Sequence, residues 1–276
     1  MHRAERPSWF VGDLDDPWVA DIAGRLPATV VRRPCAGEIP EAWAAEEPRP
    51  GVVVLHRPIL TATDARRLAR LRSAVDPPVR VVLCVGPHAR HDDLVRWGRH
   101  FDAVLPEATA AETIRRHLGD EATPEPARRG STRPAVRVVS GLHDARKALV
   151  EICRRAGFAA EPWADGPEVT LSGLTVWEVP TLDPTWAGRL GRWSRAADVV
   201  ALIPFADRPT VARAREAGAV ACLEWPCDLD DLAHVLGRVA NASMGGLGQP
   251  GHDVPPAPAS LRRPGRAEVA EPGRSA

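Results

Sequence analysis

Apolar residues along the chain fall into short, nearly unbroken runs, separated by segments in which they recur at helical spacing. In the second half Ala135–Ser140 (AVRVVS) predicts a strand. Asp144–Gly157 follows, with Ala145, Ala148, Leu149, Ile152 and Cys153 on one helix face. Asp144 is placed to cap that helix and Gly157 to end it. Phe158–Trp163, Leu174–Val179 (LTVWEV), Asp198–Ile203 (DVVALI) and Ala219–Leu223 (AVACL) predict further strands. Helices are predicted over Trp186–Ala196 and over Thr210–Ala217, the latter closed by Gly218. A last helix is marked by Leu229, Leu232, Ala233, Leu236 and Val239. The first half repeats this order. Its strands are Ser8–Val11, Thr29–Arg32, Gly51–Leu55 (GVVVL), Val79–Val85 (VRVVLCV) and Ala103–Leu105, and its helices lie around Trp18–Leu26, Thr63–Ala74, Asp92–Gly98 and Ala110–Leu118.

Continuous Val/Ile/Leu runs, without period-2 alternation, mark strands buried on both faces, as in parallel sheets covered by crossover helices. The pattern therefore predicts an α/β protein with two doubly wound, five-stranded parallel sheets of the flavodoxin type in tandem. The expected domains are 7–118 and 135–240. They are joined by a linker at 119–134 (GDEATPEPARRGSTRP), whose Pro, Gly and charge show no apolar period. Residues 241–276 hold six Gly and six Pro and little apolar material, which predicts a disordered tail.

Composition narrows the function. The 276 residues are 44% apolar, enough for packed cores, and 36 basic side chains balance 36 acidic ones. A chain of zero net charge has no bulk attraction to nucleic acid or to an anionic membrane, so neither is an expected partner. No apolar run approaches the ~20 residues that span a bilayer, and MHRAERPSWFVGD lacks the apolar stretch of a secretory signal, so a cytoplasmic location is expected. Five scattered cysteines without a CxxC pair predict buried, reduced thiols, with no zinc site or disulfide framework. Within the expected domains, 7–118 and 135–240, there is no GxGxxG, and GxxxxGK[ST] does not occur in the chain, so no cofactor is expected. GxSxG and HExxH are also missing. His88 and His91 read as a loop entering a helix near Asp92 and Asp93.

Two stretches of the second half, VRVVSGLHDARKALVEICRRAGF and ARAREAGAVACLEWPCDLDDLAHVLGRV, resemble the receiver domain of bacterial response regulators over about 105 residues. The first half resembles it in element order and in WFVGDLDDP. The resemblance implies a site at the carboxyl edge of the sheet. An acidic pair after strand one holds Mg²⁺, an aspartate ending strand three accepts a phosphoryl group, and a hydroxyl residue and a lysine contact its oxygens. This chemistry needs a cation and a fixed positive donor to neutralise developing charge.

The resemblance places other residues at those positions. In the second half the acidic pair falls on Ser140 and Gly141, the acceptor on Glu178, the hydroxyl on Ile203 or Pro204, and the lysine on Trp225, followed by Pro226. Lys147, the chain's one lysine, lies on the first helix of that half and cannot substitute. In the first half Asp13 fits one member of the pair, His56 takes the acceptor position, Cys84 or Val85 the hydroxyl, and Leu105–Pro106 the lysine region. Both halves thus read as degenerate pseudo-receivers.

Each candidate has two readings. Asp13, Asp15, Asp16 and His56 either converge on a metal ion, or Asp15 or Asp16 simply caps the helix beginning at Pro17. Glu178 is either a standing mimic of a phosphorylated acceptor or an ordinary strand-end carboxylate. Trp225 and Pro226, with Leu232 and Leu236, either anchor a partner or pack inward. Trp186 and Trp193 share a helix face and are expected in the core. The expected function is a non-enzymatic signalling or scaffold protein acting by phosphorylation-independent contact with a kinase, a response regulator or a second copy of itself as a homodimer. The alternative is a small-molecule-binding protein or enzyme of another two-domain α/β family, centred on His56 and Asp13–Asp16 in an interdomain cleft.

Overall fold

A computed structural model describes residues 6–41, 43, 48–73, 78–118, 135–165 and 173–245. The expected linker at 119–134 and the tail from residue 246 onward lie outside the described residues.

The first module runs β1 (Ser8–Gly12), α1 (Pro17–Gly24), β2 (Val31–Pro34), β3 (Val52–Arg57), α2 (Ala62–Ser73), β4 (Arg80–Val85), α3 (His91–Trp97), a 3-10 turn (Gly98–His100), β5 (Ala103–Pro106) and α4 (Ala110–Leu118). The second runs β6 (Val136–Ser140), α5 (His143–Arg155), β7 (Ala160–Ala164), β8 (Gly173–Glu178), α6 (Trp186–Trp193), β9 (Ala197–Pro204), α7 (Arg208–Glu216), β10 (Ala221–Trp225) and α8 (Leu229–Gly245). The sheets are ordered β2-β1-β3-β4-β5 and β7-β6-β8-β9-β10, and every strand pair is parallel. Each is the doubly wound order in which the chain reverses direction beside the first strand, and sites in such sheets form at the carboxyl ends of the strands.

The continuous apolar runs are explained by burial on both faces. All six residues of β3 (VVVLHR) are buried. One apolar cluster on the first sheet gathers Phe10, Val54 and Val82 with Ile22 and Ile114 of the helices, and the other gathers Trp9, Val53 and Val81 with Leu68. The second sheet is covered in the same way, by Leu149 and Leu236 on one side and Leu190 and Val211 on the other.

Local chemistry sets the element ends. Asp16 caps α1, accepting from the backbone N–H of Trp18 at 2.8 Å, with Pro17 at the first helical position. Asp144 does not cap α5; the cap position is Leu142, and Asp144 sits in the first turn, where its negative charge interacts favourably with the helix dipole. Gly218 has φ +99°, and a Cβ there would lie 2.4 Å from Ser194 Oγ, so this turn accepts only glycine.

One boundary differs from expectation. α8 continues to Gly245, so residues 241–245 belong to the helix and not to a tail. The Ser243 hydroxyl donates to Asp198 Oδ2 at 2.6 Å, which fastens this last turn to the start of β9.

Candidate functional site

The first module's strand ends carry a linked chain of charged groups that ends inside the protein. His56, the last residue but one of β3, is 3% exposed. Its Nε2 lies 2.7 Å from Oε2 of Glu107, which follows β5 and is also 3% exposed. Glu107 receives two further hydrogen bonds from Arg208, Nε to Oε1 at 2.7 Å and Nη2 to Oε2 at 2.9 Å. Arg208 is the first residue of α7, in the other module, where Asp207 caps the helix through Thr210 N at 2.8 Å. Its Nη1 donates to Asp16 Oδ2 at 2.7 Å. Trp18 Nε1 donates to the Glu107 carbonyl at 3.1 Å.

The electrostatics follow from this geometry. Burial pushes the Glu107 carboxyl upward, but hydrogen bonds from His56 and Arg208 and the Arg208 charge outweigh it and bring the group down to about 2. A carboxylate this acidic only accepts, so His56 Nε2 carries the proton of the 2.7 Å contact. Nδ1 of that ring is buried without a hydrogen-bond partner. Asp16 is also lowered: partial burial opposes ionisation, and Arg208 with the Trp18 N–H favours it more.

The four expected metal candidates have the following contacts. Asp16 caps a helix and pairs with Arg208; Asp13 accepts from Asp15 N at 3.1 Å; Asp15 is exposed; and His56 faces Glu107. Among the described residues, no three His, Cys, Asp or Glu side chains gather in an arrangement suited to a metal ion. At the second sheet's edge, half-buried Glu178 accepts a hydrogen bond from the hydroxyl of fully buried Ser140, which in turn accepts from Leu142 N at 3.0 Å. The position expected for the acceptor is thus tied to the position expected for an acidic ligand.

The expected contact surface is corrected in part. Leu232 and Leu236 are both 0% exposed and lie in the second module's core, because that face of α8 packs on the sheet. Trp225 is half-buried against the same cluster, and only Pro226 is exposed. Trp186 and Trp193 are core residues, as expected.

What joins the modules is α4. It lies against α8 and β10 of the second module, and its buried residues include Glu112 and Thr113 as well as Ile114 and Leu118. Glu112 pairs with Arg215 at 3.1 Å and with Arg238. Arg116 reaches Asp231 at 2.5 Å and Asp230 at 2.9 Å, and His117 Nε2 lies 3.3 Å from Asp231. Burial raises Asp231, yet His117 and Arg116 bring it below the usual carboxylate range. Trp18 packs between the apolar clusters of both modules, and Ala108 of the first module belongs to a cluster of the second. Sequence reasoning singled out none of Glu107, Glu112, Arg116, Arg208, Arg215 and Arg238. Glu107 lies in the turn between β5 and α4, and the other five lie on helices, where charge normally marks solvent.

Beside this seam lies a cleft of about 440 Å³, walled by the carboxyl ends of β4 and β5 on one side and of β9 and β10 on the other. His56 and Asp13–Asp16 do not line it; Pro226 does.

The five cysteines are free thiols; Cys84, Cys153 and Cys222 are buried, whereas Cys35 and Cys227 are half-buried. No helix among the described residues is long and apolar enough to cross a membrane.

No protein-family model matches the chain, and no curated protein sequence matches it. Among solved structures it is similar to the C-terminal part of Escherichia coli RcsC, containing a linker region and a phosphoreceiver domain, at 14% identity and a TM-score of 0.36, over 89% of this chain and 96% of that one. A putative two-component response regulator/GGDEF domain protein follows at 12% identity and a TM-score of 0.33, over 89% and 100% of the two chains. A dinucleotide-forming acetyl-coenzyme A synthetase from Ca. Korarchaeum cryptofilum gives 8%, 0.34, and 89% and 68%. At such values signalling proteins and a synthetase score alike, so the likeness assigns no function.

Proposed function

We infer that the chain is a non-enzymatic signalling scaffold, built of two degenerate receiver-like modules that act by protein contact without phosphorylation. One observation carries this reading: at both sheet edges the acceptor-equivalent side chains already have internal partners. His56 is buried against Glu107, which an arginine of the other module holds, and Glu178 is bound by Ser140. A group that must attack a phosphoryl donor needs access and charge compensation. His56 has no access, and no arginine, lysine or histidine pairs with Glu178 among the described residues.

The reading also limits where partners bind. The face made by α7, β10 and α8 is occupied by α4 of the same chain, so a kinase, a response regulator or a second copy must use other surfaces. The alternative, a small-molecule site built on His56 and Asp13–Asp16, gains no support, because those residues do not line the shared cleft.

The test is incubation with acetyl phosphate and Mg²⁺ followed by intact-mass measurement. The expected result is an unmodified chain. A stable phosphoryl adduct mapping to Glu178 or His56 would overturn the reading.

A further inference from the structure

The cleft between the modules has a lining that selects one kind of ligand. Its volume, about 440 Å³, falls in the ~300–1,000 Å³ range of small-molecule sites. It sits where the carboxyl ends of strands from both sheets face each other, the place such sheets bind ligands. Much of its wall is apolar, with Leu94, Leu105 and Leu223 among the lining residues. No lysine, arginine or histidine lines it among the described residues, so no cationic side chain there would pair with a phosphate or carboxylate.

Two side chains set the ligand's charge. Three of the four carboxylates of the wall face cations: Glu107 is held by Arg208 and His56, Asp231 by Arg116 and His117, and exposed Asp228 lies 3.9 Å from Arg116. Glu224, half-buried on β10, pairs with no cationic side chain among the described residues. Burial pushes its carboxyl above the usual range, opposed only by the N–H of Ala206, so a cation beside it would be favoured. At the rim stands Phe205, 91% exposed and with φ +52°, a backbone conformation bulky residues rarely adopt. An exposed aromatic face beside an unpaired carboxylate is a pairing that suits an organic cation.

We propose that the cleft binds a small organic ammonium ion bearing an apolar group, with its charge against Glu224 and the ring of Phe205 and its apolar part against Leu105 and Leu223. The proposal rests on the docked arrangement of the modules and not on the contact role above, so the phosphorylation test and this one fail independently.

Isothermal titration of the full chain with phenethylammonium, 2-phenylethanol and phenylacetate tests it. The ammonium ion is expected to bind saturably with one site, the alcohol about tenfold or more weaker, and phenylacetate not at all. Glu224→Gln, nearly isosteric, is expected to weaken the ammonium ion by about tenfold or more, and Phe205→Ser by a few-fold. Circular dichroism and the urea midpoint check that the variants fold; should Glu224→Gln not fold, Phe205→Ser carries the test, since its side chain is at the surface. No binding of the ammonium ion, equal binding of phenylacetate, or unchanged affinity in the folded variants would each overturn the proposal.

Discussion

Glu112 provides a quantitative test of the seam, because its two sides differ in exposure. Its side chain is 4% exposed, whereas its partners Arg215 and Arg238 are 21% and 40% exposed. Glu112→Gln keeps the stem and removes the charge, leaving two guanidinium groups that water can reach; two charge-assisted hydrogen bonds become neutral ones, at a cost of about 1–2 kcal/mol. Arg215→Met with Arg238→Met keeps much of the apolar stems but leaves a buried carboxylate without a cation, which costs about 3–5 kcal/mol. The triple variant removes that stranded charge and is expected to recover part of the loss. Urea unfolding followed by tryptophan fluorescence measures all three. The order triple above double, with Glu112→Gln the mildest, supports the seam. A double arginine variant no worse than Glu112→Gln, or a triple variant less stable than the double, would refute the reasoning.

Other consequences are equally direct. Glu107 is lowered from its ordinary 4.5 to about 2 when folded. It therefore stabilises the fold above its unfolded value by about 3 kcal/mol, and this is lost as pH falls from about 4.5 towards 2; a Glu107→Gln variant should lack that acid limb in a pH series of urea midpoints. Gly218→Ala should destabilise by about 1–3 kcal/mol in thermal melts, since Ser194 and the positive φ both oppose a Cβ. Ellman's reagent should label one thiol quickly, at half-buried Cys35, because burial pushes Cys84, Cys153, Cys222 and Cys227 up to about 12; rapid labelling of Cys227 would contradict its placement.

Much of the fold was legible in the chain. Runs such as GVVVL and DVVALI mark strands buried on both faces, and the helices between them carry an apolar stripe that one sheet face suffices to explain. A cap by Asp15 or Asp16 before Pro17 was expected, and Asp16 supplies it. What the chain hid is the docking of one module on the other. Glu112, Arg116 and Arg238 lie on the outward faces of helices, and local pattern cannot tell a solvated charge from one that meets a partner across more than a hundred residues of chain. The same limit hid Arg208, which looks like an ordinary first-turn residue of α7 until Glu107 and Asp16 are seen around it. Leu232 and Leu236 misled in the opposite sense: their spacing reads equally well as an interface stripe or a core stripe, and the sheet beneath α8 decides for the core. The end of α8 was misplaced because the Gly- and Pro-rich composition after Asn241 outweighed the single hydroxyl contact that extends the helix.

The central claim is that an arginine of the second module holds the buried His56–Glu107 pair of the first. A double-mutant cycle between Glu107→Gln and Arg208→Gln, read by urea unfolding of the full chain, tests it most directly. Docked modules predict a coupling free energy of about 2 kcal/mol, since the contact is bidentate and its carboxylate side is buried. Strictly additive effects of the two substitutions would contradict it.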